Sequence, residues 1–498
     1  MIKEQWEQVV QNQEVRQNLS RLRQGLKEKG SRSILENAME GNESLLPELL
    51  GSPDAKTRKN AALLMGDIGR KEYLKPLYEA YEREGQRFVK SAYLSAISNF
   101  DYREYLDGFK ERLELLRVSE VTAENEKHLM EEMRELSSLI VCMEGAPSHR
   151  FTGWDETYDV VLLTNRNFPE LTKAELERLE PHAVTRVFNA GVMARVRNLR
   201  WTGKIRTCQD VLFMVRGMKT CPMEPVRAAE VIVKSGLMQF LAAGHEGKAP
   251  FYFRIEMKSK KELGEKSAFV KKMSGHIEKL SDRKLINSTT DYEVELRLIE
   301  NKEGSCNLLV KLFTIKDERF SYRREVIPAS IRPGNAALCV ALAKDYMKEG
   351  AQVLDPFCGV GTMLIERHKA VRAGTMYGLD IQEDAVLKAR KNTEAAGLII
   401  HYINRDFFRF EHEYPFDEVI TDMPFQLGRI SQDEVEALYA RFFSTVPSCL
   451  RSGAVMILYS HDRELVKSLA PRHRFTVDEE FEISKKEGTY VFVLKWKK

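Results

Sequence analysis

The spacing of hydrophobic and polar positions changes twice along the chain, and each change marks a different kind of structure. Over the first 148 residues the pattern is almost wholly helical, with apolar residues forming one stripe. Between Phe151 and Glu325, short runs typical of strands alternate with helical segments. From residue 329 onward, apolar strands alternate with helices, which predicts a doubly wound parallel sheet. We therefore predict three domains, at residues 1–148, 149–328 and 329–498.

The helical segment contains an internal similarity at a spacing of 32 residues. Thr57–Met65 overlays Val89–Ile97, and each copy follows a polar turn. The first copy ends in Gly66-Asp-Ile-Gly69, which resembles a HEAT-like helical repeat. An ordinary helical bundle would bury the same apolar stripe and is the alternative. Because each unit of a helical solenoid leaves one face open, we expect this segment to dock RNA or another protein.

In the last third of the chain, four apolar strands each end in an acidic residue. The acids are Asp355, Asp380, Asp406 and Asp422, at successive separations of 25, 26 and 16 residues. The carboxyl ends of parallel strands meet at one edge of a sheet, where doubly wound folds bind ligands. A single acid of this kind is more commonly a helix cap or a loop residue. Four in succession predict a ligand site.

The first of these strands runs into a tight turn containing Gly359 and Gly361, followed by a helix. Such a turn can lay a nucleotide-like cofactor against exposed backbone amides. Asp380 can accept two hydrogen bonds from a ribose diol, Ile381 offers an apolar surface to a purine, and Asp406 can accept a bond from an adenine amine. The sequence lacks the Gly-x-x-x-x-Gly-Lys-Ser/Thr phosphate loop. S-adenosylmethionine, a nucleoside without phosphates, is therefore the predicted cofactor.

Four motifs together resemble those of the class I S-adenosylmethionine-dependent methyltransferases, specifically the THUMP-linked enzymes that modify guanine in tRNA or ribosomal RNA. The motifs are Asp355–Glu366, Gly378–Ile381, Arg405–Phe407 and Thr421–Arg429. The resemblance implies a Rossmann-like fold in which the motifs hold, in order, the methionine part, the ribose and the adenine of the cofactor, and the target amine. The cofactor residues so implied are Asp355, Pro356, Phe357, Cys358, Gly359, Gly361, Thr362, Asp380, Ile381, Asp406 and Phe407.

The fourth motif carries the residues expected to meet the substrate. The family's usual loop, Asn/Asp-Pro-Pro-Tyr/Phe, accepts hydrogen bonds from the target amine and stacks its aromatic ring on the base. The resemblance implies that Asp422 is an acceptor or proton sink and that the Met423 carbonyl is a second acceptor. Phe425, after Pro424, is the expected stacking ring, and Arg429 is expected near the substrate edge. Met423 departs from the commonest pattern, and we interpret it as a tolerated variant.

The middle segment resembles a THUMP domain preceded by a ferredoxin-like part, by the order of its elements. Residues 183–235 contain ten Lys or Arg and three acids, although the net charge of all 498 residues is only +3. Such a local patch can follow a phosphate backbone, and Trp201 could stack on an unpaired base. A solvated basic face would have the same composition. The predicted RNA-binding side chains are Arg195, Arg197, Arg200, Trp201, Lys204 and Arg206.

Composition narrows the class of protein. Hydrophobic residues make up 43% of the chain, enough for several cores, and no apolar run reaches the length of a transmembrane helix. The charged amino terminus does not read as a secretory leader. Seven cysteines are scattered without a paired Cys-x-x-Cys spacing, which predicts a reducing compartment and no structural zinc. We therefore expect a soluble cytoplasmic protein without a membrane partner.

The resemblance implies an RNA methyltransferase that modifies the N2 amine of guanine, in tRNA in particular. Transfer of a methyl group from a sulfonium needs no metal, because positioning supplies most of the acceleration. A pyrimidine C5 enzyme would need a nucleophilic cysteine in the fourth motif, where this chain has Pro-Phe. The alternatives are an amino methyltransferase acting on DNA adenine or protein glutamine, and a catalytically weak RNA-binding scaffold.

Overall fold

The computed structural model describes residues 2–28, 30–117, 125–145, 149–328, 330–426 and 431–497. The chain divides into two compact units, residues 1–148 and 149–498. The first predicted domain boundary falls at the same position. The second, between residues 328 and 329, lies inside the second unit, and the division there stays a prediction.

The first unit is built from helices in all of its described segments. Their apolar faces meet in one core that is rich in leucine and tyrosine. This confirms the helical pattern that the sequence predicted for the unit. The helices are α1 Ile2–Val10, α2 Val15–Gly25, α3 Ser31–Ala38, α4 Leu45–Leu49, α5 Ala55–Ile68, α6 Leu74–Arg83, α7 Arg87–Ile97, α8 Leu106–Arg117 and α9 Glu126–Glu144.

The two similar segments found in the sequence lie on α5 and α7, which pack closely against each other. Asp54 caps α5 by accepting hydrogen bonds from two backbone amides of the first turn. A side chain at Gly66 would place its Cβ only 2.7 Å from the Cα of Ala96. The absence of a side chain at Gly66 therefore lets the two helices approach. The assignment of this unit as a HEAT-like repeat stays a prediction.

The amino-terminal part of the second unit is a mixed sheet with helices. Nine strands of the described residues form it, in the order β3-β4-β2-β5-β11-β10-β8-β9, with β6 also paired to β11. A separate ribbon joins β1 to β7. The strands are β1 Arg150–Phe151, β2 Tyr158–Leu163, β3 Val184–Phe188, β4 Gly191–Val196, β5 Asp210–Phe213, β6 Thr220–Pro222, β7 His245–Glu246, β8 Phe251–Lys258, β9 Leu285–Asn287, β10 Val294–Glu300 and β11 Ser305–Leu312, and the helices are α10 Pro169–Leu179, α11 Pro225–Lys234, α12 Leu237–Gly244 and α13 Leu263–Leu280.

The carboxyl-terminal part contains a seven-stranded sheet of described residues, in the order β14-β13-β12-β15-β16-β18-β17. All neighbours are parallel except β18, which runs antiparallel to β16 and β17. Apolar clusters cover both faces of the sheet. The strands are β12 Gln352–Asp355, β13 Thr375–Asp380, β14 His401–Asn404, β15 Phe416–Asp422, β16 Leu450–Ser460, β17 Phe475–Ser484 and β18 Thr489–Trp496, and the helices are α14 Pro333–Leu342, α15 Thr362–Ala370, α16 Glu383–Ala395, α17 Gln432–Thr445 and α18 Arg463–Arg472.

This topology confirms the doubly wound sheet that the sequence predicted. The strand order reverses between β12 and β15, so a crevice opens at the carboxyl ends of these central strands. The four acids predicted to share an edge end β12, β13 and β15 or follow β14 closely. Among the described residues, no helix is both long and apolar enough to cross a membrane.

Candidate active site

The turn between β12 and α15 depends on its glycines. Gly359 and Gly361 have φ angles of 50° and 81°, a region that residues with a side chain rarely adopt. A Cβ on Gly361 would lie 2.2 Å from the hydroxyl oxygen of Tyr402, which packs beneath the turn. Gly361 is not among the residues that line the adjacent cavity. Gly361 therefore shapes the turn, and its predicted contact with a cofactor stays a prediction.

A cavity of about 740 Å³ opens at the carboxyl ends of the central strands. Its volume is within the range of pockets that hold cofactors and other small ligands. The residues predicted to bind the cofactor, apart from Gly361, line this same cavity, and so do Asp422–Phe425 of the fourth motif. The predicted site residues that line it are Asp355, Pro356, Phe357, Cys358, Gly359, Thr362, Asp380, Ile381, Asp406, Phe407, Asp422, Met423, Pro424 and Phe425.

Asp380 and Ile381 lie on the β13 side of the cavity. The Asp380 carboxylate accepts hydrogen bonds from the amide of Gly359 at 3.0 Å and from the amide of Gln382 at 2.8 Å. Burial raises the pKa of Asp380, while these amides act in the opposite direction. The side chain of Ile381 is 72% exposed. An acceptor beside an exposed apolar side chain suits a ribose and the face of its purine.

Asp406 is partly engaged within the protein. Its Oδ1 accepts a hydrogen bond from the amide of Phe408 at 3.0 Å and so caps the short helical turn Phe407–Arg409. Phe407 packs beneath this turn against Phe357, with 6.2 Å between the ring centroids. The acid thus serves as a cap and lines the cavity as well.

Three buried polar atoms at this cavity have no hydrogen-bond partner among the described residues. They are Oδ2 of Asp355, Oγ1 of Thr362 and Oδ1 of Asp422. The other carboxylate oxygen of Asp355 accepts bonds from the hydroxyl of Thr421 at 2.6 Å and from the amide of Phe357 at 3.1 Å. Buried polar groups without partners cost stability. These atoms therefore fit a ligand that carries hydrogen-bond donors.

The pKa values of the two acids in this group, Asp355 and Asp422, are both strongly raised. Burial raises the pKa of Asp355 to about 7, although the hydroxyl of Thr421 opposes the shift. Burial also raises the pKa of Asp422 well above its usual range, and the nearby charge of Asp355 adds to the effect. Two carboxyl groups that resist ionisation in one cavity are typical of a functional site. A positively charged ligand would favour their ionised forms.

The loop after β15 explains the methionine in the fourth motif. The side chain of Met423 is fully buried in the core under the sheet. Its backbone amide donates a hydrogen bond to the carbonyl of Tyr459 at 2.8 Å, which extends the pairing of β15 with β16. A proline at position 423 could not make this bond, because proline has no amide hydrogen. Met423 therefore stabilises the loop in a different way from the family's usual proline.

Phe425 is half-buried, and its ring stacks on the imidazole of His461. The ring centroids are 4.0 Å apart, and the planes are inclined by 23°. His461 lies 36 positions away in the sequence, just after the neighbouring strand, so no local pattern pointed to it. Arg429, the predicted residue at the substrate edge, lies outside the described residues.

The linker in front of α14 also reaches the cavity, through residues that were not among those predicted to bind the cofactor. Ile327, Pro328, Ser330 and Ile331 line it, together with Phe408, Leu438 and Arg441 from other segments. Asn392 fixes this linker, because its side-chain amide donates to the carbonyl of Glu325 at 3.0 Å and to that of Val360 at 3.1 Å. The linker and the glycine turn are thus tied to one side chain.

Two of the residues predicted to contact RNA have their side chains engaged within the protein. Trp201 is only 2% exposed, and its indole nitrogen donates to the carbonyl of Asn198 at 2.8 Å, so its ring has no face open to a base. Arg206 is bound to Glu366 through two hydrogen bonds of 2.7 and 2.6 Å and donates a third to the carbonyl of Arg319. Its charge is therefore neutralised inside the protein.

The remaining basic residues differ in how accessible they are. Arg200 forms an exposed ion pair with Asp155 at 2.6 Å, and Arg195 lies 3.9 Å from a carboxylate oxygen of Asp159. Arg197 and Lys204 are exposed, and neither has an ion pair among the described residues. These two are the best candidates of the predicted patch for contact with a phosphate backbone.

Comparison with known proteins gives the fold a family context. Residues 321–487 match the model of the family described as RMKL-like, methyltransferase domain (UPF0020). The chain is similar over 68% of its length to the whole of TrmN from Thermus thermophilus, with 20% identity and a TM-score of 0.51. It is also similar over 69% of its length to 99% of SMU.472 complexed with SAH, with 14% identity and a TM-score of 0.53. The chain has a class I methyltransferase fold.

Curated relatives of this methyltransferase fold have names that specify a substrate. The tRNA (guanine(10)-N2)-dimethyltransferase of Methanothermobacter thermautotrophicus is 28% identical over 178 residues, which are 34% of this chain and 52% of that protein. The enzyme of the same name from Pyrococcus abyssi is 31% identical over 155 residues, which are 29% of this chain and 44% of that protein. The chain thus spans about half the length of these relatives.

Proposed function

We propose that this protein is an S-adenosylmethionine-dependent RNA methyltransferase that modifies the N2 amine of a guanine in tRNA. The observation that carries the proposal is the shared cavity that joins the cofactor motifs to Asp422, whose buried Oδ1 has no hydrogen-bond partner among the described residues. The names of the similar curated enzymes support guanine in tRNA as the substrate. The exposed basic residues of the middle sheet support a nucleic acid as the partner.

The cofactor would be held by groups that already face the cavity. Asp380 would accept hydrogen bonds from the ribose, Ile381 would contact the purine, and Asp406 would accept a bond from the adenine amine. The unpartnered oxygen of Asp355 suits the ammonium of the methionine part, because a cation there would favour the carboxylate form. S-adenosylmethionine, when bound, supplies a methyl group on a positively charged sulfur.

The residues of the fourth motif would prepare the nucleophile. An exocyclic guanine amine is a poor nucleophile, because its lone pair is delocalised into the ring. Asp422 and the Met423 carbonyl would accept hydrogen bonds from this amine, orienting it toward the methyl group. A carboxylate with a raised pKa is also a stronger base than usual, so Asp422 suits removal of the proton that the amine loses. Phe425 would stack on the base.

The rest of the chain would bind the RNA. We assign the sheet of residues 149–328 to a THUMP-like RNA-binding domain and the helices of residues 1–148 to a HEAT-like docking domain. The exposed side chains of Arg197 and Lys204 would contact phosphates, since neither has a charged partner among the described residues. A cytoplasmic location would follow from tRNA as the substrate.

Transfer of labelled methyl groups tests the proposal. Wild-type protein and S-adenosylmethionine are incubated in parallel with total tRNA, ribosomal RNA, DNA and protein, and labelled nucleosides are identified by mass spectrometry. We expect N2-methylguanosine in tRNA. Asp422→Ala should reduce turnover by roughly a hundredfold or more while binding of S-adenosylhomocysteine changes little. Asp433→Ala, which replaces an exposed acid in the first turn of α17, is the matched control.

The other outcomes separate the alternatives. Label in DNA adenine or protein glutamine would replace the guanine assignment with a different planar amine. Cofactor binding without transfer to any polymer would support the scaffold alternative. Unchanged turnover of Asp422→Ala would show that the amine does not meet this side chain.

A further inference from the structure

The stacked pair Phe425 and His461 results from the register of two parallel strands. Asp422, at the end of β15, lies opposite Tyr459 near the end of β16. The segments that follow these two strands therefore leave the same edge of the sheet side by side. Phe425 comes three residues after Asp422 on an irregular loop, so no helix or strand sets the orientation of its ring. The ring's orientation depends on what it packs against.

His461 is held more firmly than Phe425. The residues on either side of it form a tight hydrogen-bonded turn, in which the Asp462 amide donates to the Ser460 hydroxyl at 3.0 Å. Asp462 then caps α18 by accepting a bond from the amide of Leu465 at 3.0 Å. The Ser460 hydroxyl also lies 3.0 Å from that of Tyr439. The backbone of His461 is therefore anchored between a strand end and a helix start.

Contacts on the imidazole complete this arrangement. The ring of Tyr459 meets it edge to face, with 6.0 Å between centroids. Burial lowers the pKa of His461, which leaves a neutral ring at neutral pH. A neutral flat ring can stack on Phe425 without the cost of removing water from a charged group. His461 itself is not among the residues that line the cavity.

We propose that His461 is a positioning residue for methyl transfer, whose ring holds Phe425 at the angle at which Phe425 stacks on the target base. This inference rests on the proposed function and extends it to a residue outside the four motifs. One face of Phe425 is occupied by His461, so the base would stack on the other face. A loosely held ring would present the base amine to Asp422 and the methyl group in many orientations, which slows transfer.

Three variants test the inference. His461→Leu removes the flat ring, whereas His461→Phe keeps a flat ring and removes the imidazole nitrogens. The control is His473→Leu, because His473 also stacks on a phenylalanine, at 6.4 Å and 28°, but away from the cavity lining. For each protein, kcat and KM are measured with tRNA and with S-adenosylmethionine, and melting curves verify folding.

We expect His461→Leu to lower kcat with tRNA by about tenfold or more, with KM for the cofactor unchanged. His461→Phe should recover most of the rate, and His473→Leu should match wild type. Unchanged kcat in His461→Leu would overturn the inference. A defect of equal size in His461→Phe would also overturn it, because the imidazole nitrogens would then matter more than the ring. A parallel loss of cofactor affinity would indicate a collapsed cavity and would overturn it as well.

A second measurement does not depend on the substrate. Phenylalanine 425 is replaced by 4-fluorophenylalanine, and its ¹⁹F resonance is recorded in otherwise wild-type protein and in His461→Leu. A single narrow signal that broadens or splits in His461→Leu would support the holding role, and identical spectra would refute it. If wild type transfers no methyl to guanine while the spectra differ, the proposed function fails but the packing role remains.

Discussion

Replacing Arg206 with alanine distinguishes a structural ion pair from an RNA contact. The guanidinium of Arg206 donates to both carboxylate oxygens of Glu366, at 2.7 and 2.6 Å, and the hydroxyl of Tyr322 donates to the same carboxylate at 2.6 Å. Glu366 lies on α15, the helix that follows the glycine turn, and its side chain is 1% exposed. Alanine at position 206 would leave this buried carboxylate with one strong donor.

The stability that Arg206→Ala loses depends on how deeply the two partners of the ion pair are buried. Removing one member of a fully buried ion pair costs about 3–5 kcal/mol, because the remaining charge is left uncompensated. The Arg206 side chain is 21% exposed, so water can enter the space that alanine leaves. We therefore expect a loss of roughly 2–3 kcal/mol in the free energy of unfolding. Because α15 begins at the cavity, affinity for S-adenosylhomocysteine should fall as well.

Urea unfolding and calorimetric titration measure these two effects. Arg197→Ala is the matched control, because Arg197 is exposed and has no ion pair among the described residues. It should leave the unfolding midpoint unchanged while weakening tRNA binding. The double variant Arg206→Ala with Glu366→Gln should recover part of the lost stability, because it removes the uncompensated charge.

The opposite pattern would refute the reasoning. If Arg206→Ala keeps the wild-type unfolding midpoint and weakens tRNA binding as Arg197→Ala does, then the ion pair contributes little and Arg206 contacts RNA after all.

Three further changes have expected outcomes. Gly361→Ala should destabilise the protein by about 1–3 kcal/mol and abolish cofactor binding, because the new methyl group would meet Tyr402. The control is Gly397→Ala. Gly397 also has a positive φ, but an added Cβ there would have no atom within 4 Å, so cofactor binding should survive. The pKa of Asp355, about 7, predicts that affinity for S-adenosylhomocysteine rises as pH increases toward 7 and levels off above it, because the carboxyl must lose its proton to meet an ammonium. Below pH 7 the affinity should change by close to tenfold per pH unit, and this dependence should vanish in Asp355→Asn. Titration calorimetry between pH 5.5 and 7.5 measures both. Trp201→Phe should lose about 1 kcal/mol of stability, because it removes the hydrogen bond of the indole, and it should keep wild-type affinity for tRNA. Weaker binding in a filter-binding assay would instead indicate that Trp201 stacks on a base.

The sequence predicted much of the cavity, because the residues involved follow from the topology of the fold. Asp355, Asp380, Asp406 and Asp422 each follow a strand of one parallel sheet, and the ends of such strands must meet at one edge. Their separations along the chain therefore indicated their proximity in space. The glycine turn was predictable for a similar reason, since its residues are adjacent in sequence.

The residues that the sequence missed make contacts over long sequence distances. His461 meets Phe425 only because β15 and β16 lie side by side in a particular register. Ile327, Pro328, Ser330 and Ile331 of the linker line the cavity, and Asn392 on α16 holds the linker just before them, at Glu325. No local pattern marks either contact, so strand periodicity and motif spacing could not predict them.

Charge composition was a weaker guide than motif spacing, because it does not show which cations find partners inside the protein. Arg206 and Arg197 lie nine residues apart in one basic segment, yet one is bound to a buried carboxylate and the other is exposed. The bond from Arg206 reaches Glu366, one turn after Thr362 on the helix that starts at the cavity. Part of the segment that was predicted to bind RNA therefore supports the candidate cofactor site instead. Variants of the exposed cations should change affinity for tRNA, and variants of the buried one should change stability and cofactor binding first.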